Sequence, residues 1–72
     1  MGEWRVDGEK LKAARKKAAL SMRDLEEASG VTLLTIHRIE TNKVKDAFPS
    51  TVRKLADALG IKPVELMSES EP

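Results

Sequence analysis

The sequence predicts an all-α domain built from five short helices. Three observations carry that expectation. Capping residues (Asp7, Ser21, Thr32, Ser50) stand ahead of apolar-periodic stretches, and Gly30, Asn42 and Gly60 stand behind them. The stripe Val52, Leu55, Ala56, Leu59 has the i, i+3, i+4, i+7 spacing of one helix face. No stretch alternates apolar and polar with the period of two that a half-buried strand requires.

Taken in order, Asp7 is expected to cap a first helix over about residues 8–19, with Leu11, Ala14, Ala18 and Ala19 on its inner side. Ser21 followed three residues later by Asp24 is a capping-box pattern, opening a second helix that runs through Ala28. Gly30 ends it where a left-handed backbone is needed. Thr32 caps a third helix reaching about Thr41, with Asn42 as a left-handed terminator. Residues 43–49 read as a loop. Ser50 is expected to cap the fourth helix, which Gly60 stops, and Pro63 suits the first position of a short fifth helix containing Val64, Leu66 and Met67. Residues 1–67 form the expected domain. The polar, acidic residues 68–72 read as a disordered tail.

Composition narrows the function classes. Seventy-two residues make one small domain with a modest core. The absence of cysteine removes disulfides and thiolate metal sites. One tryptophan, one phenylalanine and no tyrosine leave little surface for stacking on single-stranded bases. No apolar run approaches the ~20 residues of a membrane span, and no secretory leader is recognisable, so the expectation is a soluble cytoplasmic protein. No phosphate-cradling glycine loop and no nucleophile–base set is visible, so neither an enzyme nor a cofactor is expected.

The formal charge of +1 hides an uneven distribution. Residues 10–54 hold eleven lysines and arginines against five acids, a net +6, while other acids gather near both ends. A basic centre suits a polyanionic partner, although lysine-rich helical surfaces are also commonplace. On the third helix, about 100° per residue puts Thr32, Thr35, Ile36, Ile39, Glu40 and Lys43 on one half. Leu33, Leu34, His37, Arg38 and Thr41 fall on the other. Ile36 and Ile39 mark the first half as core-facing, so the second half looks outward. Two short helices around a glycine turn form the unit whose second helix enters the DNA major groove.

These residues resemble the phage Cro and repressor family of helix-turn-helix domains, a lambda-repressor-like fold. The likeness is carried by SMRDLEEASGVTLLTIHRIETNK at 21–43 and PSTVRKLADALGIKPVEL at 49–66, and it spans residues 8–67. The resemblance implies a sequence-specific regulator of transcription, most often a repressor, that binds double-stranded DNA as a homodimer. By position, it implies base reading by Leu33, Leu34, His37 and Arg38. It implies phosphate contacts from Ser21, Met22 and Thr32 and from Lys43 and Lys45 in the following loop. It also implies a buried salt bridge between Arg15 and Glu40, which the spacing supports, since Arg15 follows Leu11 by four residues and Glu40 follows Ile36 by four.

The sequence departs from the family pattern at Glu26, where alanine is usual and a glutamate must turn outward or find a partner. The loop 43–49 is longer than in compact members, and Leu33 and Leu34 replace polar readers. Two adjacent exposed leucines could meet thymine methyl groups or a protein partner, which keeps open a second reading, an interaction module such as an adaptor or antitoxin component. His37, with no cysteine near and no acid on its face, is not expected to bind metal. Trp4 is expected to cover apolar surface near the first helix. Lys16 and Lys17 are expected to form a solvated helix end favoured by the macrodipole.

Overall fold

The computed structural model describes residues 3–68. In chain order it contains β1 (Trp4–Arg5), α1 (Gly8–Lys17), α2 (Met22–Ser29), α3 (Leu33–Glu40), β2 (Asp46–Ala47), α4 (Pro49–Leu59) and a 3₁₀ turn at Pro63–Leu66. The described residues are mostly helical, but they form four α-helices rather than five, together with a two-stranded antiparallel ribbon. The fifth segment is too short for an α-helix and closes as one tight turn.

Local chemistry accounts for most helix ends. Asp7 Oδ1 accepts from the amides of Glu9 (2.9 Å) and Lys10 (3.4 Å), filling two of the four N-terminal donors that α1 leaves open. In α2 the capping box is complete. Ser21 Oγ accepts from the Asp24 amide and the Asp24 carboxylate accepts from the Ser21 amide, each at 3.0 Å. The Ser21 amide first, and the Ser21 hydroxyl after it, hold the Asp24 carboxyl below its ordinary range by favouring the carboxylate. Gly30 (φ +81°) and Gly60 (φ +71°) end α2 and α4 in the left-handed region, and Asn42 (φ +62°) follows α3 in the same conformation.

Two local expectations are corrected and a third is refined. The α1 helix stops at Lys17, and Ala18 and Ala19 lie exposed beyond it, with Ala19 at φ +61°. Alanine has no side chain that favours this conformation, so the stop carries no sequence signal. The fourth helix begins earlier than Ser50: Phe48 is the N-cap, without a side-chain bond, and Pro49 fills the first helical position, where its missing N–H leaves no donor orphaned. Trp4 packs against the core as expected, but it does so from the ribbon, opposite Ala47, with the Arg53 guanidinium of α4 5.2 Å above its ring.

One core joins all elements. Val6, Leu11, Leu25, Val31, Ile36, Ile39, Val52, Leu55, Ala56 and Leu66 are buried together. The strand residues are shared between two neighbours. Trp4 pairs with Ala47 and Arg5 with Asp46 in register, while Val6 donates to the Lys45 carbonyl (2.8 Å) and bridges Met67 on its other side. The Ser68 amide donates to the Arg5 carbonyl (3.0 Å). The rest of the acidic tail, residues 69–72, lies outside the described residues.

Two contacts fix α1 against α3. Gly8 is buried with its α-carbon so close to the end of α3 that an added methyl would stand 2.0 Å from the Ile39 carbonyl oxygen. Its amide donates to Asn42 Oδ1 (3.3 Å). One helical turn pair further on, Arg15 meets Glu40 in a bidentate fork, Nε to Oε2 at 2.6 Å and Nη2 to Oε1 at 3.0 Å. The third nitrogen, Nη1, donates to the Leu20 carbonyl (2.9 Å). The side chains are only 10% and 2% exposed. The bond to Glu40 raises the Arg15 pKa above its ordinary value against the opposing effect of burial.

Candidate nucleic-acid interface

The site is assembled from α2, the turn at residues 30–32 and α3. Leu25 of α2 and Ile36 and Ile39 of α3 are buried against one another's side of the core. Within the turn, the Val31 amide donates to Ser29 Oγ (3.0 Å), and the buried Val31 side chain anchors the turn to the core. Burial of Ile36, Ile39 and Glu40 leaves the opposite face of α3 in solvent.

On that face Leu34, His37 and Arg38 are exposed, and Leu34 keeps 58% of its surface. Leu33 differs. It is half-buried, so the two leucines do not form the exposed pair the sequence suggests. Lys43 and Lys45 are both exposed in the loop that follows. That loop turns back on α3 through the Arg38 carbonyl, which accepts from the Lys43 amide (2.9 Å).

The remaining candidates have other duties. Ser21 is exposed, but its oxygen already accepts from the backbone of α2. Met22 is half-buried and packs on the core. Thr32 Oγ1 accepts from the Thr35 amide (3.3 Å) and donates to Thr35 Oγ1 (3.0 Å). Arg15 of α1 and Glu40 of α3 meet on the inner side of α3 and do not face solvent.

Two features escaped sequence reasoning. Phe48 is 63% exposed, and with Thr35, Arg38, Val44 and Thr51 it lines a shallow recess of about 250 Å³ beside the outer face of α3. Only its place just before Pro49 distinguishes it in the sequence. Glu26 neither turns outward nor sits idle: Oε2 accepts from the Leu33 amide at 3.0 Å. The departure from alanine was legible; the identity of the partner was not.

Among the described residues, no group of three or more His, Cys, Asp or Glu is placed to hold a metal ion. No helix among them is long and apolar enough to cross a membrane.

Comparison with known proteins gives consistent neighbours. The 54 residues that align with the HTH-type transcriptional repressor RghR of Bacillus subtilis (strain 168) are 43% identical, and they cover 75% of this chain and 40% of the repressor. The chain thus spans well under half the length of that relative. Among solved structures, the restriction-modification controller protein C.AhdI from Aeromonas hydrophila superposes with a TM-score of 0.76 at 30% identity, over 83% of this chain and 89% of that one. SinR, the master regulator for biofilm formation, solved in complex with DNA, shares the fold with a TM-score of 0.77 at 24% identity, over 79% and 90% of the two chains. The family described as the helix-turn-helix domain matches residues 8–71, which include the whole α2–turn–α3 unit. This chain belongs to the helix-turn-helix domain family.

Proposed function

We propose that the chain is a sequence-specific, double-stranded-DNA-binding regulator of transcription, a repressor, that lays α3 in the major groove. The observation that carries this reading is the two-sidedness of α3, whose inner face is core while Leu34, His37 and Arg38 stand in solvent. Nothing in the fold of a lone chain needs those three side chains where they are. A groove about 12 Å wide admits a helix, and Arg38 and Leu34 each have a partner there. Arg38 can bond guanine N7 and O6 in bidentate fashion, Leu34 can meet a thymine methyl, and Lys43 and Lys45 can neutralise flanking phosphates. Two copies would present two such helices about 34 Å apart, one DNA turn, so that occupancy blocks access of polymerase. The names of the relatives, a repressor and two regulators, support the same reading.

Two measurements test it. Replacing Lys43 or Lys45 by alanine should weaken binding to every duplex alike and flatten the slope of log K against log salt by ~0.9 per lost contact. A changed sequence preference with an unchanged slope would remove these lysines from the phosphate set. On a site selected from random duplexes, Arg38→Ala should lose about 1–3 kcal/mol at one base-pair position. Leu34→Ala should lose discrimination of thymine from uracil while leaving folding intact. Unchanged binding and preference in both variants would end the assignment of α3 as the reader.

The exposed Leu34 and Phe48 favour one second reading, an adaptor or antitoxin module that binds a protein through this face. It predicts that Leu34→Ala binds duplex DNA as before and loses a protein partner.

A further inference from the structure

An α-helix leaves its first four amides without internal partners. In α3 two of these are filled, and the two acceptors come from different elements. Thr32 Oγ1 takes the Thr35 amide, but Thr32 is continuous with α3 and moves with it. Glu26 Oε2 takes the Leu33 amide, and Glu26 belongs to α2, seven residues earlier and across the turn. This is a charge-assisted bond at the positive end of a helix dipole, in a half-buried setting.

We infer that Glu26 is the positioning residue of the reading helix, locking the rotation of α3 relative to α2 by holding the Leu33 amide. The inference rests on the proposal that α3 reads DNA. The consequence is geometric. Ser21 and Met22 stand at the start of α2, and Leu34, His37 and Arg38 stand on α3. In the proposed complex, a DNA backbone lying against the start of α2 and bases lying against α3 can be met together only at one angle between the helices. Core packing through Leu25 and Ile36 sets the separation of the helices, but apolar contact is non-directional and tolerates a small rotation. The hydrogen bond does not. A carboxylate at that end of α3 also disfavours a phosphate there, so the helix approaches DNA through its side chains and not through its N-terminus.

The test compares Glu26→Ala and Glu26→Gln, each studied well below its thermal midpoint. Gln retains an oxygen that can accept from Leu33 N–H; Ala does not. The readout is the ratio of affinities for the selected site and for random duplex, which a simple loss of folded protein would not change. Glu26→Ala should lower that ratio about tenfold or more, with random-duplex affinity kept within about twofold, since losing a hydrogen bond to a charged group amounts to that much. Glu26→Gln should keep most of the ratio. An unchanged ratio in Glu26→Ala, or an equal loss in Glu26→Gln, would overturn the inference. Hydrogen exchange at the Leu33 amide, measured without DNA, decides separately: protection must fall in Glu26→Ala and persist in Glu26→Gln. If the wild-type chain prefers no duplex, the DNA reading fails on its own, and the exchange measurement still decides whether the clamp exists.

Discussion

Replacing Glu40 by alanine should lower the thermal midpoint by roughly 12 °C or more, from ~3–5 kcal/mol lost at ~4–8 °C per kcal/mol in a domain this small. The Arg15 guanidinium would remain where it is, 10% exposed, with one carbonyl acceptor at Leu20 in place of the three bonds it makes now. An uncompensated charge in that position is what makes the loss large. A chain of this length has only about 4–11 kcal/mol of total stability. Glu27→Ala, at an exposed position on α2, serves as the control and should barely move the midpoint. Removing both charges, with Arg15→Met and Glu40→Leu together, should recover much of the loss, because a buried pair owes its large single-mutant effect to the stranded partner. Equal small shifts from Glu40→Ala and Glu27→Ala in a melting experiment would show that the pair is solvated in solution.

The second large effect is expected at Gly8, and its sign is opposite to what helix propensity alone implies. Alanine is favoured over glycine inside helices by ~0.8–1.0 kcal/mol. At Gly8 the new methyl would stand 2.0 Å from the Ile39 carbonyl oxygen and 3.0 Å from that of Glu40. Both are backbone atoms at the end of α3, so relief requires α1 and α3 to separate. Overpacking of this kind costs ~1–3 kcal/mol or more. Separation would also stretch the Arg15–Glu40 fork, which joins the same two helices. Gly8→Ala should therefore lower the melting midpoint and make Glu40→Ala less damaging in its presence. A midpoint equal to or above wild type would show that α1 yields without penalty.

Sequence reasoning reached most of the helical frame because helix ends are local events. Asp7, Ser21 with Asp24, and Thr32 bond amides two or three residues away, and Gly30 and Gly60 need only their own backbone angles. The core periodicity of α3 and α4 was legible for the same reason. Most of what was missed depends on residues far apart in the chain. The ribbon has strands of two residues, too short to show any alternation, and it exists because Trp4–Val6 finds partners some forty residues away. Pro49 could have been recognised as a first helical residue by the argument applied to Pro63, but Ser50 offered a competing cap. For the candidate site, the outward face of α3 was legible at Leu34, His37 and Arg38. The half-burial of Leu33, the exposure of Phe48 and the partner of Glu26 required the packed structure.

The segment Trp4–Val6, β1 and the residue after it, bears on the entropy of the loop that carries Lys43 and Lys45. Val6 holds the Lys45 carbonyl, β1 holds Asp46 and Ala47, and α3 holds Lys43 through the Arg38 carbonyl. Ordering a free backbone costs about 1–2 kcal/mol per residue. Here that ordering occurs once, when the chain folds, and does not recur each time a polyanion arrives. The loop is preorganised by a segment about forty residues upstream, and, on the proposal that Lys43 and Lys45 meet phosphate, the few residues before α1 would set part of the affinity those lysines deliver.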